Sequence, residues 1–370
     1  MEIPVGPMAK AVAMIALTFL LLAACRAARP AAPEKADAVF AGRITADGPG
    51  AAVLVIKDGR AVLERGYGVT DLRTGRPLDA RTNFRLASVT KQFTAAAIML
   101  LVQDGKLRYE DRLTELFPDF PGYGRGIAVR HLLQHTSGLP DYEDLMPPPD
   151  PSLPVERLQI SDAGVLELLK KEKAGRFAPG SRWAYSNSGY VLLGLVVEKV
   201  SGRPFPEFLR DRVFLPLGMA NTVAYVRGRN DIPDRAYGHT KEDGAWRETD
   251  QSPTSATLGD GGVYSSLSDL ARWDEALRQN TLLSEAEMRP ALEPVIVPGG
   301  TTTAYGFGWF LDPWRGHARM WHYGETVGFR TAIQRFPADG LTVVVLANRA
   351  DLDAAALALE AAALFLAAGK

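Results

Sequence analysis

The chain has 370 residues, 46% hydrophobic and 23% charged, an ordinary globular composition with enough apolar material for one large or two interleaved domains. Its 42 basic and 43 acidic residues leave a formal net charge of -1. No global field exists to draw in nucleic acid or an anionic surface, and nucleic-acid binding is set aside.

After Lys10 runs the uncharged stretch Ala11 to Ala24, AVAMIALTFLLLAA, shorter than the roughly 20 residues of a spanning helix. It is expected to be the apolar part of an export signal over residues 1–24, for which Met8 would be a tidier start than Met1. The stretch closes as Leu22-Ala23-Ala24-Cys25, which is similar to the lipobox of bacterial lipoproteins, where the cysteine sulfur is acylated. Cys25 is the sole cysteine, so it has no disulfide partner within the chain. A lipidated Cys25 and an Arg/Ala/Pro-rich tether, residues 25–36, are expected to hold a folded domain of residues 37–370 at the periplasmic face of a bacterial membrane. The alternative is an exported protein without a lipid.

The segments Ala52 to Ile56 and Ala61 to Tyr67 flank Lys57-Asp58-Gly59-Arg60, and Asp-Gly between β-rich runs predicts a hairpin. Helical patterns follow at Ser88 to Asp104, with Gly105 as terminator, then at Val129 to Gln134, Ala163 to Glu172, Ser188 to Val200 and Ser268 to Gln279. Pro147 to Pro154 holds five prolines in eight residues and reads as loop. A second β-rich block comprises Tyr305 to Leu311, Phe329 to Phe336 and Leu341 to Ala347, before a closing helix from Leu352 to Ala367. Strands from both chain ends around a helical middle predict an α/β (α+β) fold. One antiparallel sheet is expected from about 37–87 and 295–370, flanked by helices, with an all-helical region of about 105–290 inserted.

Ser88-Val89-Thr90-Lys91 opens the first of these helices. Residues three apart share a helix face, so the Lys91 amine can reach the Ser88 hydroxyl. Free N–H groups at a helix start favour a developing alkoxide and oxyanion. A serine needs a neighbouring base to become a nucleophile, and a desolvated lysine can be one. Alone, such a spacing is most often a capping serine and a solvated lysine; further motifs lift it. In Tyr185-Ser186-Asn187 the phenol could accept or relay a proton, its ionised form being favoured beside an ammonium, and the amide could hold Lys91 or substrate. His322-Tyr323-Gly324-Glu325 lies at the edge of the C-terminal β-block, where a glycine lets a substrate backbone come close and a strand edge offers an N–H.

In that order, S-x-x-K, Y-x-N and H-x-G resemble the three signature elements of the serine beta-lactamase and penicillin-binding-protein superfamily. Phe84-Arg85-Leu86-Ala87, His131 to Pro140 and Gly261-Gly262-Val263-Tyr264-Ser265-Ser266 are similar to stretches of its class C beta-lactamase-like branch. The resemblance covers about Ala38 to Phe365. It implies a beta-lactamase/transpeptidase-like fold with the site in a groove between sheet and helical region. It also implies a Ser88 nucleophile, a Lys91 and Tyr185 proton relay, Asn187 positioning Lys91 and substrate, and His322 in place of the third-motif cation. Backbone N–H groups of Ser88 and Glu325 would form the oxyanion hole. The reaction would be acyl transfer through a Ser88 ester, without metal or organic cofactor.

His131 and His135 share a helix face but lack the H-E-x-x-H pattern, so they are expected to brace the loop at Ser137-Gly138 and not to bind metal. Gly306-Phe307-Gly308 lacks a following helix and reads as β-strand glycine. Histidine at 322, where many lactam-hydrolysing relatives have lysine, is mostly neutral near pH 7. Glu325, if it faced the groove, would further disfavour an anionic substrate, although Arg330 could supply a substrate-binding charge. The leading expectation is therefore hydrolysis of small amides or esters, including D-amino-acid peptides. A beta-lactamase or DD-carboxypeptidase is the alternative, and a non-catalytic protein binding cell-wall fragments is a third.

Overall fold

The computed structural model describes residues 31–298 and 302–367; the expected signal, Cys25 and the first part of the tether lie outside the described residues. In chain order the longer helices and the strands are α1 (Ala32–Ala41), β1 (Ala51–Lys57), β2 (Arg60–Tyr67), β3 (Phe84–Arg85), α2 (Lys91–Gln103), α3 (Asp162–Lys171) and α4 (Asn187–Ser201). They continue as β4 (Val223–Ala224), β5 (His239–Glu242), β6 (Ala245–Glu248), β7 (Val263–Ser265), α5 (Leu267–Gln279), β8 (Val295–Ile296), β9 (Thr302–Thr303), β10 (Met320–Thr326), β11 (Phe329–Phe336), β12 (Leu341–Ala347) and α6 (Ala354–Ala362).

The main sheet runs β10-β11-β12-β1-β2, antiparallel throughout. Its central pair joins the two ends of the chain: Ala51 lies opposite Ala347 and Lys57 opposite Leu341. Period-two alternation splits β1 between two cores. Ala51, Val53 and Val55 pack with Phe40 of α1 and Leu357 and Ala358 of α6, while Ala52, Leu54 and Ile56 join the larger core that contains Phe93 of α2. With both faces covered, β1 and β12 are buried almost throughout. Strand β2 is the outer edge and is largely exposed, so the alternation at 61–67 does not reflect burial; Arg60, Glu64 and Arg65 give that edge the charges that discourage pairing with other chains. Between β1 and β2, Asp58 and Gly59 have φ of 51° and 76°, the positive pair required by the tight turn expected there.

Four expectations need correction. Helix α1 begins at Ala32 and buries Ala36 and Phe40, so the fold starts before Asp37, within the segment expected to be tether. The segment from Tyr305 to Leu311 is a turn: the Gly306 N–H donates to the Trp309 carbonyl at 2.8 Å. Gly308 has φ of 78°, and a Cβ there would come within 2.8 Å of the Lys91 carbonyl oxygen. It is thus a loop glycine pressed on the start of α2. The inserted region is not all helical, because it contributes β4 and β7 to a second sheet ordered β3-β7-β4, plus the hairpin β5–β6. The closing helix stops at Ala362, short of Ala367.

Helix α5 is tied to the main sheet by a buried ion pair. Arg335 Nε donates to Asp274 Oδ1 at 2.7 Å, and the Thr342 hydroxyl donates to the same oxygen at 2.7 Å. Removing one partner leaves a desolvated charge, so Asp274→Ala should lower unfolding free energy in urea by about 3–5 kcal/mol. A loss below about 1 kcal/mol, the range of exposed pairs, would show that the pair does not hold α5 to the sheet.

Candidate active site

Ser88 sits where the second sheet hands the chain to a helix. β3 pairs Phe84 and Arg85 with Ser265 and Tyr264 of β7, and the Leu86 N–H donates to the Val263 carbonyl at 2.9 Å. Ala87 then turns with φ of 47°, an unusual conformation for a residue with a Cβ. The expected helix is therefore split: Ala87–Thr90 is a 3-10 turn, and the α-helix begins at Lys91. This tight turn leaves Ser88 partly exposed, with the helix start behind it.

Lys91 is fully buried with a complete set of acceptors. Its Nζ donates to Ser88 Oγ at 3.0 Å, Asn187 Oδ1 at 2.8 Å and the Asp260 carbonyl at 3.0 Å. Burial lowers its pKa to about 8, against the pull of Asp260, Asp141 and Glu143. A substantial neutral fraction near pH 7–8 equips it as a base.

Tyr185 faces Ser88, and Lys91 Nζ is 4.9 Å from the centre of its ring. The expected ionised phenol is corrected: burial raises its pKa well above the ordinary value, outweighing the opposite influence of Ser88. Tyr185 is a protonated hydroxyl that can give or pass on a proton. Asn187 opens α4, where its backbone N–H donates to Asp141 Oδ2 at 2.7 Å and its side-chain amide to Glu143 Oε1 at 3.2 Å. Its oxygen is thereby left for Lys91.

His322 comes to the site but not as a cation. It is completely buried. Nδ1 is 2.7 Å from the Tyr323 carbonyl, which fixes it as the donor, and Nε2 is then free to accept from the Tyr305 hydroxyl at 3.1 Å. Burial, with Lys91 nearby, lowers its pKa to about 3. Arg330 is also corrected: its guanidinium donates to the carbonyls of Thr326 and Phe329 at 2.9 and 2.8 Å. It locks the β10–β11 hairpin and is absent from the wall of the Ser88 cleft.

Gly324 allows the strand edge to meet the nucleophile. A Cβ there would lie 2.2 Å from the Leu86 carbonyl oxygen, 2.5 Å from Thr331 Oγ1 and 3.0 Å from the Ser88 nitrogen. Trp321 exchanges both backbone hydrogen bonds with Phe310, at 2.9 and 2.8 Å, on the side away from β11. Backbone polar groups alternate sides along a strand, so those of Tyr323 and Glu325 also point outward. The Glu325 N–H is thus presented at the open edge next to Gly324, in front of the Ser88 N–H, as an oxyanion hole requires.

The cleft around Ser88 is lined by Glu143, Asp260 and Glu325, by Arg85, and by Asn187 and several threonines. Sequence reasoning missed Asp260, Asp141, Glu143 and Tyr305. Asp141 and Asp260 directly follow or precede stretches that carried the resemblance, the only signal available for them. Tyr305 was read as strand. His131 and His135 do separate work: His131 Nδ1 accepts the Ala128 N–H at 3.1 Å, capping its own helical turn, while His135 faces the tyrosine loop and not Ser137-Gly138.

A base, a nucleophile, a hydroxyl proton carrier and two convergent N–H groups can carry out acyl transfer through a serine ester. Comparisons with known proteins agree. The chain is 35% identical over 312 residues to "Penicillin-binding protein 4*" of Bacillus subtilis, covering 80% of this chain and 67% of that one. It is 31% identical over 326 residues to "D-aminopeptidase" of Cereibacter sphaeroides, covering 86% of this chain and only 60% of that protein's length. In structure it is similar to D-amino acid amidase from Ochrobactrum anthropi SV3, with a TM-score of 0.74 and 26% identity over 90% of this chain and 97% of that one. The family model "Beta-lactamase" matches residues 36–367. The chain belongs to the beta-lactamase family and is a serine hydrolase.

Proposed function

We propose that the enzyme hydrolyses small amides or short peptides that carry a free amino group beside the scissile carbonyl, as D-amino-acid amides and N-terminal D-residues do. The observation that carries this reading is the charge of the cleft. Glu143, Asp260 and Glu325 line it, His322 is neutral, and Arg330 is engaged with the hairpin. Arg85 in the wall is buried and donates to the Ser255 carbonyl at 3.1 Å through one nitrogen only, so its single positive charge stands against three carboxylates. An ammonium is welcome in such a cleft, and a carboxylate next to the reacting carbonyl is repelled. Burial, reinforced by Asp141 and Asp260, raises the Glu143 pKa; a substrate ammonium relieves that crowding. The amidase and aminopeptidase relatives support the same substrate class.

In the reaction, Ser88 Oγ attacks the amide carbon while its proton passes to neutral Lys91. The oxyanion lies between the N–H groups of Ser88 and Glu325. The Tyr185 hydroxyl protonates the leaving amine and is reprotonated from Lys91. Water then hydrolyses the ester by the reverse path.

The chain is further proposed to be exported and tethered through Cys25, on the lipobox-like Leu22-Ala23-Ala24-Cys25. Among the described residues no helix is long and apolar enough to cross a membrane.

Three measurements test these readings. With D-alanine p-nitroanilide and its N-acetyl derivative, kcat/KM should favour the free amine by at least about tenfold, the 1.4 kcal/mol of one charged contact. Glu143→Gln should reduce the preference, and Ser88→Ala should abolish both turnover and the mass added by a fluorophosphonate. Equal rates on both substrates, or faster opening of a chromogenic cephalosporin, would move the assignment to a DD-carboxypeptidase or beta-lactamase. For a neutral ester substrate, kcat/KM should fall about tenfold per pH unit below about 8 and level off above it, since protonating Lys91 removes the base. A flat profile between pH 6 and 9 would take that role from Lys91. Finally, Cys25→Ala should release the protein from membranes in detergent-free buffer; retention there would sink the lipid tether.

A further inference from the structure

His135 brackets Tyr185 from two sides. Its backbone carbonyl accepts the N–H of Ala184 at 2.9 Å, and its Nδ1 accepts the N–H of Ser186 at 3.1 Å. The residues before and after the tyrosine are therefore pinned to one histidine. Its ring covers Tyr185 with centroids 4.4 Å apart, and packs against Tyr305 at 4.6 Å and Tyr190 at 5.1 Å. The backbone bends to allow this: φ is 58°, a left-handed conformation that histidine and asparagine tolerate better than most residues. Because Nδ1 accepts, the ring is the neutral tautomer with its proton on Nε2. Nε2 has no hydrogen-bond partner among the described residues and lies among aromatic rings. Burial, with Lys91 and His322 nearby, keeps the imidazole uncharged.

An unpartnered buried N–H costs stability, and a histidine in a strained backbone is a demanding way to fill an aromatic core. The arrangement is accounted for if both costs serve the placement of Tyr185. We propose that His135 is the positioning residue for Tyr185, holding its hydroxyl at Ser88 through the clamp on Ala184 and Ser186. This rests on the proton-carrying role of Tyr185 proposed above. A displacement of about 1 Å at a reacting group can cost about a hundredfold in rate, so the clamp acts on kcat and not on substrate affinity.

The test compares His135→Gly and His135→Asn, both suited to positive φ and both lacking the ring, but only asparagine offering a side-chain acceptor to Ser186. Each is made in the wild-type and Tyr185→Phe backgrounds. Turnover of D-alanine p-nitroanilide and the rate of Ser88 modification by a fluorophosphonate are measured alongside Tm. His135→Gly should lower kcat about a hundredfold with KM little changed, and His135→Asn should recover about tenfold of that at a similar Tm. In the Tyr185→Phe background, removing His135 should cost no further rate, as expected of two residues acting as one unit. The same fold-loss in both backgrounds, or rates that follow Tm and ignore the acceptor, would overturn the positioning role alone. If Tyr185→Phe by itself keeps wild-type turnover, the proton-carrying role falls and the clamp has nothing to position.

Discussion

A lysine ammonium with no exposure to water organises this molecule. Burying such a group is expensive unless its donors are met, and the fold answers with one acceptor from each of three directions. Ser88 comes from the same helical turn, Asn187 from the start of α4, and Asp260 from the loop before β7. Two of these acceptors are themselves held: Asn187 by Asp141 and Glu143, and the loop before Asp260 by Asp162, whose Oδ1 accepts the Leu258 N–H at 3.0 Å. The same burial that demands these contacts lowers the lysine pKa toward neutrality. Structural cost and catalytic use have a single origin.

The strand side of the site follows a different logic, that of close approach. At Gly324 the edge of the sheet touches the turn at Leu86 and Ser88, so the two N–H groups converge without any side chain to bring them together. His322 precedes it by two residues, yet its polar atoms turn toward Tyr323 and Tyr305. Position in a motif and direction of a side chain are separate facts. A lysine here would bring a cation to the groove; the histidine is a neutral packing element with two satisfied nitrogens.

The residues proposed to do the chemistry were legible because their spacing is local. Ser88 and Lys91 need only a helical turn, and Tyr185 and Asn187 only a helix start. The pairing of the two chain ends was equally plain from hydrophobic patterning, whereas β10 was not among the predicted strands. What escaped depends on tertiary context. Asp260, Glu143 and Asp141 lie on loops with no periodicity, and their importance comes from what crosses the cleft to meet them. Arg330 seemed available until the hairpin carbonyls beside it claimed one of its nitrogens and left it outside the Ser88 cleft. Tyr185 seemed poised to ionise because the neighbouring charge was visible in the sequence and the depth of burial was not. The 305–311 segment carried strand-like residues, but Gly308 with positive φ bends it across α2.

The order of strands in the main sheet has a temporal consequence. β1 is made early, yet its neighbour β12 is completed only at Ala347, and β10, which carries Gly324, reaches β1 only through β11 and β12. Pairings this distant in sequence form slowly. A ribosome-bound chain ending before residue 341 therefore has Ser88 and Lys91 but no closed sheet to press Gly324 against them. Under the proposed mechanism, hydrolytic competence arrives only with the last strand, so the topology would keep an unfinished chain from acting as an enzyme.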